Sequence, residues 1–269
     1  MIRQSKGFTL VELVTVILIL GIVSVGIGSF VVMGTRIFVD SSLTDQVLSE
    51  SRYALQRMTR ELRTAMPNSI RLTTNGSSDQ CIEFVPIVVS SSYLEWPFFG
   101  DTALNTGKVF RDTSNTTAIQ TGQRVYVFPS SEADVYETSS HFAVLDNVDV
   151  ENDVITLGFT SSVSFLEKSP SKRVYFVEQP VSYCINSIKN ELQRYSGYGY
   201  RTSQPLLIDD SGSIVAKNIV NGVSNPDDRP FHYEPSTLQS NAIVQLNPRF
   251  TINGQTIQYQ HQVQVINVP

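Results

Sequence analysis

The chain has 269 residues, two cysteines and a formal net charge of −5. This acidity argues against a broad nucleic-acid surface, which needs clustered Lys and Arg to displace counterions. About 200 residues follow residue 66, which is enough for one domain with its own core.

A short basic segment precedes the first apolar run. Residues 1–7 contain Arg3 and Lys6 and end in Gly7, the outline of a leader that a peptidase removes. Residues 8–32 are long enough to span a bilayer, which needs about 20 residues, and no small-residue cleavage site follows them. We therefore predict cleavage between Gly7 and Phe8. Loss of Arg3 and Lys6 would change the net charge from −5 to −7 and expose a new amine on Phe8.

Glu12 is the only charged residue of the apolar run before Arg36. An Asp-type charge at the middle of a membrane helix costs about 2.5–3.5 kcal/mol, so an intramembrane carboxylate is a candidate functional group. Opposite charges tolerate burial in a low dielectric as a pair. The sequence thus favours a pair between Glu12 and the Phe8 ammonium of a neighbouring helix. The alternative is an uncleaved anchor with an accidental Glu.

The helical pattern continues beyond the apolar run to Pro67, which should end the helix near Met66. We predict one helix over residues 8–66, with 8–32 transmembrane or in a filament core, and a β-rich domain over 67–269. An apolar stripe at three- and four-residue steps should pack on a sheet. Its members are Val39, Leu43, Val47, Ala54, Leu55, Met58, Leu62 and Ala65.

The period changes to two from residue 81 onward, which predicts antiparallel strands. Asn253-Gly254 and the cluster at 209–212 are turn signals. Residues 90–122 lack periodicity and are predicted to be mainly loop. The predicted strands are 81–89, 124–128, 141–145, 154–159, 173–177, 181–185, 191–195, 214–220, 242–246 and 257–266.

Cys81 and Cys184 lie too far apart for a C-x-x-C motif, and each belongs to a strand-like run. In an oxidising periplasm we predict a disulfide between them. The alternative is two buried thiols that behave as small apolar residues.

Three further groups have an ordinary and a functional interpretation. The aromatic residues could stack on sugars or dock subunits, but packing is the more common use. The acidic clusters lack calcium-loop spacing and indicate solvated turns, so neither a metal site nor a cofactor is predicted. These groups are Tyr93, Trp96, Phe98 and Phe99 with Tyr195, Tyr198 and Tyr200; Asp146, Asp149, Glu151 and Asp153; and the pairs Asp209–Asp210 and Asp227–Asp228.

Catalytic motifs are missing from the sequence, and His141, His232 and His261 are scattered. A spatial triad can escape a sequence search. We nevertheless expect a non-catalytic protein.

The N-terminal pattern resembles that of type IV pilins and of type II secretion pseudopilins. The resemblance implies that a prepilin peptidase cleaves after Gly7 and methylates the Phe8 amine, and that Glu12 guides each subunit into register. It also implies an α+β, pilin-like fold in which a long N-terminal helix packs on antiparallel β-sheets of a C-terminal globular domain. The matching residues are Gly7, Phe8, Thr9, Leu10, Glu12 and Leu13.

The C-terminal half resembles the large minor pilins of the J/W class, and most closely the MshO-like minor pilins of mannose-sensitive haemagglutinin (MSHA) pili. The similar runs are 181–184, 191–195, 215–220, 231–233 and 261–269. This implies a single-pass inner-membrane protein with a periplasmic head, later carried to the pilus at the cell surface. Its implied partners are other pilins and minor pilins, the prepilin peptidase and the inner-membrane assembly platform. A type II secretion minor pseudopilin of the J type, or a tip adhesin that binds a surface glycan, are the alternatives.

Overall fold

The computed structural model describes residues 7–75, 79–100, 104–111, 119–137, 140–206, 211–236 and 240–265. The chain divides into two compact units, Met1–Leu48 and Ser49–Pro269. A long, apolar N-terminal helix is followed by antiparallel sheets. The predicted α+β, pilin-like fold class is therefore confirmed.

Helix α1 covers Leu10–Arg63, two or three residues less at each end than the predicted 8–66. Its last turn tightens before Pro67, because the N–H groups of Thr64 and Ala65 bind the carbonyls of Glu61 and Leu62, each at 3.1 Å. The four glycines of the apolar run lie inside the helix, which continues through them.

The apolar stripe is buried over a shorter stretch than the sequence predicts. Val39 and Leu43 are exposed, whereas Ala54, Met58 and Leu62 are almost completely buried. The buried part of the stripe is shorter for a simple reason. Periodicity identifies the apolar face of a helix, but whether a sheet covers that face depends on where the chain returns.

Within the described residues, sixteen strands, one short α-helix and one 3₁₀ turn follow α1. The strands are β1 Arg71–Asn75, β2 Asp79–Phe84, β3 Ile87–Glu95, β4 Leu104–Phe110, β5 Arg124–Tyr126, β6 Phe142–Glu151, β7 Val154–Val163, β8 Arg173–Val177, β9 Val181–Asn186, β10 Glu191–Ser196, β11 Ser213–Lys217, β12 Phe231–Glu234, β13 Ala242–Leu246, β14 Arg249–Ile252, β15 Gln255–Gln258 and β16 His261–Val265. Helix α2 covers Glu132–Tyr136, and a 3₁₀ turn covers Pro226–Asp228.

Six of these strands close into an antiparallel barrel in the order β3-β4-β7-β6-β5-β8. Strand β3 changes partner along its length and so closes the barrel: its residues up to Ser92 pair with β8, and Tyr93 and Glu95 pair with β4. The interior is filled by apolar side chains, among them Trp96, Phe159 and Phe176. The barrel is therefore a packed core and not a pore.

Gly107 makes room for the only tryptophan of the chain. A Cβ atom on Gly107 would lie 2.7 Å from Cε3 of Trp96 and 3.1 Å from Cζ of Phe159. We expect Gly107→Ala to lower the free energy of unfolding by about 1–3 kcal/mol through overpacking, and to shift the Trp96 fluorescence. Denaturant titration of the full chain in detergent measures both. Thr106→Ala, an exposed neighbour on the same strand, is the control; equal effects of the two changes would contradict the steric explanation.

A second sheet has the order β1-β2-β9-β10-β11, with all neighbours antiparallel. Strands β12, β13 and β16 form a third sheet, and β14 and β15 form a hairpin. Buried Gln80 joins the second and third sheets, since its amide nitrogen donates to the Phe231 carbonyl at 3.0 Å and its oxygen accepts from the Phe231 N–H at 3.1 Å.

Several predicted strand boundaries were wrong. Residues 90–122, predicted as mainly loop, contain most of β3 and all of β4. The predicted strand 81–89 divides at Pro86, which lacks a backbone donor and forms an isolated bridge to Ala65. The predicted strand 257–266 divides into the end of β15 and β16, and residue 266 lies outside the described residues.

Candidate assembly and processing site

The predicted cleavage junction lies in front of the first helical residue. Gly7, Phe8 and Thr9 are exposed and not helical, and Phe8 keeps 72% of its surface in contact with solvent. Exposed, non-helical backbone is where proteases cut most readily. The Gly7–Phe8 bond therefore lies in an exposed, non-helical stretch.

Thr9 caps the helix, a role that the sequence analysis missed. Its hydroxyl oxygen accepts a hydrogen bond from the Glu12 N–H at 3.3 Å, and its carbonyl accepts one from the Leu13 N–H at 3.2 Å. The signal was present in the sequence, because Thr9 and Glu12 have the Thr-x-x-Glu spacing of a capping box. The cap fixes where α1 begins, two residues after Phe8.

Glu12 lies in the first turn of α1, where the helix dipole favours a negative charge by about 0.3–1 kcal/mol. That gain is smaller than the roughly 2.5–3.5 kcal/mol that a carboxylate costs in the middle of a bilayer. The helix start alone therefore does not offset full burial of Glu12.

The apolar part of α1 has no cover within the described chain. Side chains such as Leu10, Ile17 and Phe30 are 80%, 62% and 77% exposed, and the most apolar window of the helix is 0% buried. By length and composition this helix can cross a membrane. It fits a single-pass anchor, and its surface requires lipid or other helices around it.

The C-terminal part of α1 is held to the second sheet by a charge cluster. Glu61 accepts hydrogen bonds from Arg57 at 3.0 Å and from Arg194 of β10 at 2.9 Å. Burial opposes ionisation of Glu61, but the bonds from Arg194 and Arg57 outweigh it and lower the pKa of this carboxyl. Glu61 therefore stays charged where the helix meets the sheet.

Cys81 and Cys184 lie directly opposite each other on β2 and β9 and form a disulfide. Both residues are buried, and Tyr195 packs against them. The sequence placed both cysteines in strands, and the antiparallel register brings them together.

Removing this disulfide should destabilise the head. It closes a loop of 103 residues, for which chain entropy predicts about 4.7 kcal/mol and measured losses run at about 2–5 kcal/mol. We expect Cys81→Ala with Cys184→Ala to lower the free energy of unfolding within that range. Trp96 fluorescence during denaturation measures it. The control is the parent chain under reducing conditions, which should approach the double variant; a double variant as stable as the oxidised parent would contradict the prediction.

The first aromatic group is mostly core. Tyr93, Trp96 and Phe98 are 7%, 6% and 5% exposed and belong to the barrel interior, whereas Phe99 is 76% exposed. These four side chains therefore do not form a continuous stacking surface for a sugar. Of the second group, Tyr195 is buried and Tyr198 and Tyr200 are half-buried.

Tyr198 and Tyr200 belong to the segment between β10 and β11. The Tyr198 hydroxyl donates to Glu83 at 2.7 Å, and the Tyr200 hydroxyl donates to the Glu178 carbonyl at 2.8 Å. The guanidinium of Arg124 lies 3.6 Å from the centre of the Tyr200 ring. Both tyrosines therefore serve to fasten this segment, here called the 197–206 strap, to the second sheet and the barrel.

The acidic residues do not converge on a metal position among the described residues. Asp146, Asp149, Glu151 and Asp153 are exposed along the β6–β7 hairpin. Asp228 accepts from Arg249 at 2.7 Å and from the Gly222 N–H at 2.8 Å, so it is a structural anion. Asp209 and Asp210 lie outside the described residues.

The three histidines are far from the N-terminal site in sequence and differ in setting. His141 is buried, with Nε2 at 3.4 Å from a carboxylate oxygen of Asp134. His232 lies within β12, and His261 is exposed at the start of β16.

Comparison with known proteins adds one match. Residues 2–28 match the family model of the prokaryotic N-terminal methylation motif. No curated protein and no solved structure matches the chain. The matched range contains Gly7, Phe8 and Glu12, so the chain has a prepilin-type N-terminus and is a type IV pilin-like or pseudopilin-like substrate of prepilin peptidase. Such a motif implies assembly with other pilins.

Proposed function

We propose that this chain is a minor pilin of a type IV pilus, of the MSHA-like class that contains the MshO-like proteins. It acts as a non-catalytic building block in the initiation or tip-proximal complex of the filament. The observation that carries the proposal is Glu12, the lone carboxylate of the uncovered apolar run that opens α1 within the matched motif.

The proposed sequence of events follows from the chemistry of the first residues. The helix inserts in the inner membrane with the head in the periplasm, and the peptidase cuts the exposed Gly7–Phe8 bond and methylates the new amine. The assembly platform then moves the subunit into the filament at the cell surface. There the Phe8 ammonium of an adjoining subunit pairs with Glu12, which compensates both charges in a low dielectric.

Mass spectrometry of the mature chain tests the first step. The expected N-terminal residue is a methylated Phe8, with Met1 to Gly7 absent. A mature chain that begins at Met1 would refute the pilin interpretation, because no amine would then exist beside Glu12. Gly7→Leu is a matched variant in which cleavage should fail while membrane insertion continues.

A minor pseudopilin of type II secretion is the second candidate, because the matched motif covers only residues 2–28 and serves both systems. A deletion strain separates the two. Loss of pili with normal protein export supports the minor pilin, and loss of export with normal piliation supports the pseudopilin. Complementation with the full-length chain is the control in both assays.

A further inference from the structure

One groove on the head is basic and lacks a carboxylate. It has a volume of about 610 Å³ and lies between the C-terminal part of α1 and the residues that lead into β16. Arg52, Arg60 and Arg63 line it together with Leu55, Tyr259 and His261. We call it the arginine groove. At 3.6 residues per turn the three arginines lie within about 80° of one another around the helix.

The three arginines differ from other arginines of the head. Arg57, Arg194 and Arg249 each donate to a carboxylate at 3.0, 2.9 and 2.7 Å. Arg52, Arg60 and Arg63 are exposed, and their side chains make no hydrogen bond or ion pair within the described part of the chain. They leave three like charges side by side above the apolar side chain of Leu55, an arrangement that an anionic partner would stabilise.

A complementary element lies on the barrel. The β6–β7 hairpin carries Asp149, Glu151 and Asp153, which are all exposed and whose carboxylates make no hydrogen bond or ion pair with any described residue. Arg111 is the nearby cation, but its contacts go to the backbone carbonyls of Asn152 and Asp153, at 3.4 and 2.8 Å. The carboxylates therefore remain free. We call residues 149–153 the acidic hairpin, and its Val150 is 47% exposed.

We propose that the arginine groove of one copy binds the acidic hairpin of a second copy. Three cations would face three carboxylates. Because the two surfaces are different elements, one copy can bind a second copy through its groove and a third through its hairpin. This arrangement is heterologous and extends as an open filament when its rotation does not close into a ring. Complementary charge also fixes the register of such a contact and excludes wrong partners. The inference rests on the proposed function as a filament subunit and specifies one contact between heads.

Paired charge reversals test the contact in the full-length, processed chain in detergent. The groove variant is Arg60→Glu with Arg63→Glu, and the hairpin variant is Asp149→Arg with Glu151→Arg. Each alone places like charges together and should weaken self-association at least about tenfold by sedimentation analysis. An equimolar mixture should regain association, because each mismatched surface then finds an opposite charge on the other variant.

The controls separate this contact from general effects. Lys217→Glu changes one exposed cation on β11 and should leave self-association unchanged. The weaker association through the apolar helix should be the same in all variants. A monomeric parent, single variants that associate like the parent, or a mixture without recovery would each overturn the proposal. Mass spectrometry of the same samples reports cleavage after Gly7, so failure of the pilin function is distinguishable from failure of this contact.

Discussion

Replacing Glu12 by Gln should leave a chain that inserts and is cleaved but enters filaments about 100-fold less readily. The change keeps the size of the side chain and removes its charge. If the Phe8 ammonium of the adjoining subunit is buried against Glu12, it loses its counter-charge, and breaking such a pair costs about 3–5 kcal/mol, which corresponds to a factor of 100 or more. Filament yield per cell and immunoblots of sheared pili measure the effect.

The helix cap offers a competing explanation for Glu12, and the size of the effect discriminates between them. Loss of a charge at a helix start costs about 0.3–1 kcal/mol, and Gln can still occupy the third helical position of a capping box. Helical content by circular dichroism should therefore stay unchanged. Glu12→Asp retains the charge and is the matched control. Normal assembly of the Gln variant would count against the charge pair.

Arg71→Met should be the most damaging single change in the head. Arg71 on β1 and Glu83 on β2 face each other across the sheet with their side chains 4% and 0% exposed, and Nε of Arg71 donates to the Glu83 carboxylate. The guanidinium also donates to the carbonyls of Thr202 at 2.7 Å and Arg201 at 2.8 Å, which fastens the 197–206 strap. Its removal leaves a buried carboxylate without a cation, at an expected cost of about 3–5 kcal/mol.

Two further variants locate the origin of that loss. Arg71→Met with Glu83→Gln removes both charges and should recover most of the stability, although the strap stays loose and more open to limited proteolysis. Lys108→Met breaks the exposed pair with Glu95, whose side chains are 43% and 68% exposed, and should cost about 0–1 kcal/mol. Equal losses for Arg71→Met and Lys108→Met would refute the role of burial.

The same pair predicts a pH dependence with a defined sign. Burial raises the pKa of Glu83 above the 4.5 of a free side chain, against the hydrogen bonds from Arg71 and Tyr198. Without Arg71 the raised pKa must rise further, so the folded variant binds a proton that the unfolded chain releases. Its stability is then greatest below the unfolded pKa and falls as the pH rises through the folded pKa. The loss in free energy of unfolding caused by Arg71→Met should therefore be smaller at about pH 5 than at about pH 8.

The sequence was informative where the signal is local. The apolar run, Glu12 and Pro67 define α1 to within a few residues, because hydropathy and capping act over one or two turns. The predicted turn at Asn253-Gly254 joins β14 to β15, with φ angles of 48° and 80° that suit these two residues.

Strand β4 and most of β3 escaped prediction because they break the alternating pattern, whereas β5 to β8 overlap predicted strands. In β3, Ser90, Ser91 and Ser92 precede the point where the strand changes partner from β8 to β4. In β4, Gly107 occupies an inward position that an apolar side chain would normally fill, because the Trp96 ring fills it instead. Both features depend on residues from distant parts of the chain, which no local window contains.

The site was predicted unevenly for the same reason. Gly7, Phe8 and Glu12 are neighbours in sequence and remain neighbours at the start of α1. Arg71 and Glu83 meet only through the β1–β2 register. Strand β1 has only five residues, and its sequence is too polar to be recognised as a strand. The arginine groove needs residues near 60 and near 260 together, so its charge excess is invisible until the chain is folded.

Closure of the barrel restricts how copies of this protein can stick to one another. Its six strands bond in a ring, so each of the six has a bonded neighbour on both sides, and none presents a full-length edge as a template for cross-β growth. Molecules crowded side by side would otherwise risk fusing through such templates into irreversible aggregates. On the proposed function, growth by apolar helices and matched charges stays reversible, and a subunit added out of place can still leave.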